Sequence, residues 1–177
     1  MPATALIPNF GWMLRHPARI IAFGAGSGLL KPGPGTWGTL FAWVTFAPLL
    51  GWLQGVGWLQ GVIGLAGGAA PLLLPLVAFL IGIWACGRAA RDLGVADPGS
   101  IVWDEVAAFW LVLALTPGGF GAQLAAFALF RFFDIVKPPP IRQFDASFKG
   151  GFGVMFDDLL AAFYTLLVLA LWTRWTA

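Results

Sequence analysis

Five apolar runs, residues 37–53, 72–86, 106–116, 122–133 and 159–172, leave this chain few ways to fold in water. A helix that crosses a bilayer needs about 20 mostly apolar residues, with about 17 as the short limit. The first run reaches that length. The second does so if it continues into "GRAA", and the last if it extends to "TRW". The third and fourth are shorter and are joined by "TPGGFG", whose Pro and Gly residues break helices. They form either a shallow hairpin or two spans lengthened through Ile101 and Asp134. The expected fold is therefore all-α, a polytopic integral membrane helical bundle with three to five membrane-embedded helices. Of 177 residues, 59% are hydrophobic and 10% charged, which places the chain outside the soluble range and reads as one membrane domain, 1–177. Ten Trp and sixteen Phe suit contact with lipid headgroups as well as tails.

The few charges are unevenly placed. Every acidic residue lies between Asp92 and Asp158. If all five runs cross, segments 1–35, 87–105 and 134–158 share one membrane face. That face gathers Arg15, Arg19, Lys31, Arg88, Arg91, Lys137, Arg142 and Lys149, with Arg131 at its edge, together with every carboxylate. The other face keeps only Arg174. Lys and Arg accumulate on the cytoplasmic side of membrane proteins, so the crowded face is expected there. The lone Cys86 excludes a disulfide framework and a Cys-based metal site. The lone His16 lies apart from the acidic blocks and reads as an interfacial residue rather than a ligand. No signal peptide is expected, because the N-terminus lacks a basic start followed by an apolar run and a cleavage site.

A structural account of the carboxylates comes first. Asp104 and Glu105 start one expected helix and Asp157 and Asp158 another, and acidic first turns gain roughly 0.3–1 kcal/mol from the helix dipole. That account leaves unexplained the Gly and Pro chemistry that accompanies the charges in three blocks. In "GSGLLKPGPGTWGTL", Gly33, Pro34 and Gly35 read as an irregular loop and Thr36 as the N-cap of the first spanning helix, where backbone N–H groups beside Lys31 can receive phosphate oxygens. No Gly-Lys-Ser/Thr follows, so it is not a Walker loop. In "DPGSIVWDE", Asp97 to Ser100 read as a turn with Ser100 as a cap. Asp104 and Glu105 point about 100° apart, so one of the two is expected to aim at a given site. In "FRFFDIVKPPPIRQFDASFKGGFGVMFDD", Arg131, Asp134 and Lys137 fall three apart on one helical face before three prolines end the helix. Arg142, Asp145 and Lys149 then read as a loop, "GGFG" as the approach to the last helix, and Asp157 and Asp158 as its opening. Carboxylates with Lys, Arg and flexible backbone suit a phosphorylated ligand and a hard divalent ion, since oxygen-only ligation favours Mg²⁺ or Ca²⁺ over zinc.

At "GLLKPGPGTWGTL", "DPGSIVWDE" and "RFFDIVKPPPIRQFD" continuing into "GGFGVMFDDLLA", the chain resembles the bacterial phosphatidylglycerophosphatase A family, in that family's order. The blocks cover roughly a third of the chain, and residues 41–83 carry none of them. A small departure is Ala108, where the family often carries Gly. The resemblance implies a Mg²⁺-dependent phosphatase of the bacterial inner membrane, multi-pass, with its site in interhelical loops facing the cytoplasm. It would remove the terminal phosphate of the phospholipid phosphatidylglycerophosphate, the last step in making phosphatidylglycerol.

The residues agree with such chemistry. A dianionic phosphate monoester repels nucleophiles, and a divalent ion both offsets that charge and supplies hydroxide near neutral pH. Glu105, Asp134 and Asp158 are the expected metal ligands, with Asp104 and Asp157 as alternates; Asp104, Glu105, Asp134 and Asp158 form the expected catalytic set. Lys31, Thr36, Lys137 and Arg142 are the substrate-binding candidates. Attack by water is preferred over an aspartyl phosphoenzyme, and both fit these residues. One His excludes the histidine-nucleophile lipid phosphatases, and neither a "DxDx[TV]" nor a "CxxxxxR" pattern occurs. A phosphatase of another lipid phosphate is the nearest alternative. A transporter or structural subunit is a more distant one, because the charges gather at helix ends instead of lining a path across the bilayer. Membrane lipid is an expected partner, nucleic acid is not, and the sequence names no protein partner.

Overall fold

The computed structural model describes residues 7–56, 70–95 and 98–176, and all regular structure among them is helical. In chain order the elements are α1 (Phe10–Met13), α2 (Pro17–Ala22), a 3-10 segment (Gly24–Leu29), α3 (Pro34–Gly55), α4 (Ala70–Leu93), α5 (Trp103–Leu115), α6 (Phe120–Val136), α7 (Ile141–Ser147) and α8 (Gly150–Thr176). Two stretches among the described residues are long and apolar enough to cross a membrane, Pro71–Leu93 and Gly150–Trp175. Helix α3 matches them in length at 22 residues, but Trp, Thr, Gly and Pro dilute its apolarity. Helix α5, with 13 residues, rises about 20 Å and falls short of a bilayer core of about 30 Å.

That short helix is the centre of the molecule. It packs against α3, α4, α6 and α8, and Val106, Phe109, Val112 and Ala107 are buried on different sides of it. A helix that is apolar all round belongs inside a bundle. Phe109 meets Trp43 and Phe127 edge to face, with ring centroids 6.4 and 5.8 Å apart, and Trp43 stacks on Phe127 at 5.5 Å. Trp110 Nε1 donates to the Ala42 carbonyl at 2.9 Å, and Trp43 Nε1 donates to Gln123 Oε1 at 2.7 Å. These contacts tie α3, α5 and α6 together with the polar ring atoms satisfied.

Helices α4 and α8 meet through glycine. A Cβ on Gly151 would overlap the Ile83 carbonyl oxygen, and one on Gly87 would lie 3.2 Å from the Gly151 backbone. Apolar helices in lipid gain most from such close backbone approach, since burial alone drives little between them. The same crossing explains a correction. "GGFG" is not an approach to the last helix but its first turn, so Asp157 and Asp158 do not open α8; they lie about two turns inside it. Nor do residues 141–147 form a loop, since Arg142 lies on α7.

Two expected caps also fall elsewhere. Gly33, at φ 69°, is the N-cap of α3, Pro34 follows inside the first turn, and Thr36 sits one residue past Gly35 within the helix. Pro at the first helical position already has a helical φ and loses no needed donor, which starts the helix earlier than a Thr cap would. Val102, not Ser100, caps α5, and it makes no side-chain cap bond. The expected Asp97–Ser100 turn begins outside the described residues; a turn one residue later, Pro98–Ile101, is closed by Ile101 N on Pro98 O at 2.9 Å. The Val102 amide then donates to the Ala22 carbonyl at 2.9 Å, fixing the start of α5 against α2. His16 caps α2, its Nδ1 accepting from the Ala18 amide at 3.1 Å. Arg19 packs over Trp12 at 4.0 Å and reaches Asp92 Oδ2 at 2.9 Å, and Arg88 Nε meets Asp92 Oδ1 at 3.0 Å. The N-terminal elements are thereby fastened to the charged end of α4. Cys86 is buried, its sulfur 3.8 Å from that of Met155.

Candidate active site

Asp104 and Glu105 occupy the first turn of α5, and both are buried although they are carboxylic side chains. Asp158, on α8, is buried opposite them. Each of the three offers a carboxylate oxygen within 4.8 Å of the other two. Asp104 Oδ1, Glu105 Oε2 and Asp158 Oδ2 are buried without a hydrogen-bond partner. Buried polar atoms are nearly always paired, and an unpaired buried carboxylate is costly, so three carboxylates this close together, each with an unpartnered oxygen, call for a counter-charge. The donor set is oxygen throughout, which fits a hard divalent ion and not zinc or copper. The residues present therefore fit the cation that the sequence led us to expect.

The expectation that one member of the Asp104–Glu105 pair would aim at the site is corrected by this geometry. Both do. Their Cα–Cβ directions diverge, but the extra methylene of Glu105 lets its carboxylate bend back toward Asp158. Burial is the largest influence on both groups. It raises the Asp104 carboxyl well above the ordinary Asp range, and the Glu105 charge pushes the same way. Burial raises Glu105 to about 7, with Asp134 adding to the rise while Asp104 as hydrogen-bond partner and the Arg131 guanidinium oppose it.

Arg131 and Asp134 stand at the edge of this cluster. Arg131 Nη1 donates to Asp134 Oδ2 at 2.5 Å, lies 3.5 Å from Glu105 Oε1, and is 3.5 Å from Thr39 Oγ1. Arg131 Nε is a buried donor without a partner. Asp134 in turn lies against Glu105 and Asp158. Gly35 closes the other side: a Cβ there would overlap Glu105 Oε1 and sit 3.0 Å from both terminal nitrogens of Arg131. Only a glycine lets the start of α3 come this near the carboxylates.

The remaining expected site residues are divided. Asp157, next to Asp158, turns the other way and pairs with Lys137 Nζ. Lys137 terminates α6 at φ 45°, a left-handed conformation. Thr36 is half-buried one residue beyond Gly35, whereas Lys31 and Arg142 are exposed, Lys31 just before α3 and Arg142 on α7. Sequence reasoning gave no role to Thr39, read Gly35 only as part of a loop, and left Arg131 out of the site residues. The Arg131–Asp134 spacing of three was a legible signal for Arg131. Thr39 and Gly35 follow only once α3 starts at Pro34, which places them one turn apart, with Thr39 Oγ1 donating to the Gly35 carbonyl at 2.8 Å.

Fold and site together define an all-helical protein with apolar, membrane-length helices and a buried, oxygen-only carboxylate centre backed by an arginine. The chain belongs to the phosphatidylglycerophosphatase A family, whose model matches residues 20–173. It is 44% identical over 156 residues to phosphatidylglycerophosphatase A of Haemophilus influenzae, covering 88% of each chain. Over 149 residues it is 37% identical to phosphatidylglycerophosphatase A of Escherichia coli, covering 84% of this chain and 78% of that one. A Bacteroides thetaiotaomicron protein, provisionally named a phosphatidylinositol-3-phosphatase, is 38% identical over 162 residues, 88% of this chain and 92% of its own. No solved structure matches the chain.

Proposed function

We propose that this chain is a Mg²⁺-dependent lipid phosphatase that hydrolyses phosphatidylglycerophosphate to phosphatidylglycerol and phosphate. The observation that carries the reading is the convergence of Asp104, Glu105 and Asp158 with partnerless oxygens, beside an arginine that has a donor to spare. These three carboxylates hold the ion, with Asp134 against them. Bound there, Mg²⁺ supplies charge neutralisation for the phosphoryl group and a nucleophile at neutral pH. Arg131 offers Nε to a phosphoryl oxygen while its Nη1 keeps Asp134 in place. Asp104 Oδ1 is a buried acceptor placed to take the proton of the attacking water. Asp157 orients Lys137 on the phosphate side. Thr36, Lys31 and Arg142 meet the headgroup from the surface.

Membrane placement follows the same reading. The whole chain, 1–177, is one domain in the bacterial inner membrane. Helices α3, α4 and α8 span, and α5 with α6 dips in and returns as a hairpin, within the expected three to five embedded helices. The charged ends at Arg19, Arg88, Asp92, Lys137 and Asp157 then lie on the cytoplasmic side. The likeness to the Bacteroides protein favours, as a second reading, action on another phosphorylated lipid.

The test is phosphate release by detergent-purified protein from phosphatidylglycerophosphate and, in parallel, phosphatidylinositol 3-phosphate, with Mg²⁺ and then with excess chelator. Release from the first substrate that stops on chelation is expected. Release only from the second, or release indifferent to chelator, overturns the assignment. Asp134→Asn should lose turnover and keep its fold, which a structural subunit has no reason to show.

A further inference from the structure

Helix α5 carries more than carboxylates on the face that Asp104 presents. Ala107, Ala108 and Leu111 lie three, four and seven residues further on and so continue that same face away from the charged end. Across from them α4 presents Leu72, Pro75, Leu76 and Phe79 at the same spacing, and α8 adds Leu159, the residue after Asp158. Between these stripes runs an apolar groove of about 380 Å³. The two alanines make the hollow. From Asp104 to Leu111 it descends about 10 Å along α5, between the two helices long and apolar enough to cross a membrane.

A second apolar hollow, about 610 Å³, lies on another side of α5 against Phe41, Val44, Pro48 and Leu49 of α3. Its α5 wall is Trp103 and Trp110, whose positions point about 100° or more away from Asp104. Their indoles are tied to the Ala78 and Ala42 carbonyls, each at 2.9 Å, and meet edge to face at 5.7 Å. The α4–α5–α8 groove, by contrast, starts at Ala107, one turn from Asp104, and takes in Leu159 next to Asp158, so it is the hollow that adjoins the site.

We propose that the α4–α5–α8 groove holds one acyl chain of the lipid whose phosphate occupies the carboxylate centre; this rests on the lipid phosphatase reading. An amphiphile that presents a phosphate to Asp104 and Asp158 must lead its chain away from that level, and the groove begins one helical turn below. Lipid tails surround the protein everywhere, so the groove gains little from the hydrophobic effect. Its contribution is positional. A seated chain fixes how far the headgroup rises, and displacement of about 1 Å at a reacting centre costs on the order of 100-fold.

The experiment compares dipalmitoyl with dibutanoyl phosphatidylglycerophosphate, in one detergent with Mg²⁺, for the full chain and three variants. Ala108→Leu fills the floor of the groove, and Leu76→Trp narrows its rim at a side chain that is 55% exposed and so tolerates replacement. In both, kcat/KM on the dipalmitoyl lipid should fall roughly tenfold more than on the dibutanoyl lipid. Val44→Trp, in the other hollow, should lower both substrates alike or neither. If Ala108→Leu does not fold, Leu76→Trp decides. Equal losses on the two lipids in the groove variants, or a chain-length-dependent loss confined to Val44→Trp, overturn the proposal. An unmodified chain that releases phosphate from neither lipid overturns the phosphatase reading itself, and so separates the two failures.

Discussion

Two adjacent carboxylate pairs look alike in the sequence and end in different places. Asp104 and Glu105 both turn into the centre, joined by Asp158, while Asp157 leaves it to pair with Lys137 at the end of α6. The difference is one of position in the helix. The first pair sits in the first turn of α5, where two side chains can lean over the helix end toward one point. The second pair sits about two turns inside α8, with α5 on one side and α6 on the other, and each carboxylate goes to the neighbour it faces. A pair at a helix end can act as one site; a pair inside a helix is split by its packing.

The sharpest way to break that comparison is to neutralise each member in turn. Asp158→Asn and Glu105→Gln should lower kcat by on the order of 10³. Asp157→Asn should cost roughly tenfold, as expected for a group that acts by orienting another. Equal losses at positions 157 and 158 would erase the distinction. Stabilisation by the ion should be lost along with turnover. Bound at about 100 times its Kd, Mg²⁺ should stabilise the unmodified chain by about 2.7 kcal/mol, read as a rise in unfolding temperature, and Asp158→Asn should lose most of that rise.

Next in size is the Lys137–Asp157 pair. A double-mutant cycle with Lys137→Met and Asp157→Asn should give a coupling of about 1–3 kcal/mol in stability, since removing one partner leaves the other charge in a largely buried place. A coupling near zero would mean that Asp157 answers to the central cluster after all. The corresponding cycle of Arg131→Met with Asp134→Asn should couple in kcat as well as in stability.

A smaller effect is read by pH. Glu105 is raised from its unfolded value of 4.5 to about 7 in the folded chain. The folded state then holds more protons than the unfolded state across that window, and stability falls as pH rises through it. In chelator, the unfolding temperature of the unmodified chain should drop between pH 4.5 and 7, and Glu105→Gln should flatten the drop. The smallest effect is expected at the exposed edge, where Arg142→Ala should raise KM about threefold and the change should shrink with added salt.

Much of this was legible from residue types alone. The apolar runs announced helices, the second and third blocks held the carboxylates that come together, and Arg131 with Asp134 announced a shared face. The helix limits were less legible. "GPG" and "GGFG" read as non-helical because glycine disfavours helices in isolation, yet Pro34, Gly35 and "GGFG" are helical here, and Gly35 and Gly151 admit a neighbour that no larger residue could. Propensity lost to packing in both cases, and in α3 the expected cap at Thr36 went with it. Lys31 and Arg142 were placed with the phosphate by charge, but the buried cluster draws its cation from Arg131, which the bundle carries inside.

The sequence by itself determined the helical class, the concentration of carboxylates in a few short blocks, and the family to which the chain belongs. Those follow from composition and local order, which survive any rearrangement of the helices. Which carboxylates meet, which one is diverted to Lys137, and which side of α5 is left hollow were decided only when the helices packed. Side chains reach a few ångströms, and a helix turns each successive residue by about 100°, so a partner is chosen by how neighbouring helices are rotated and not by distance along the chain.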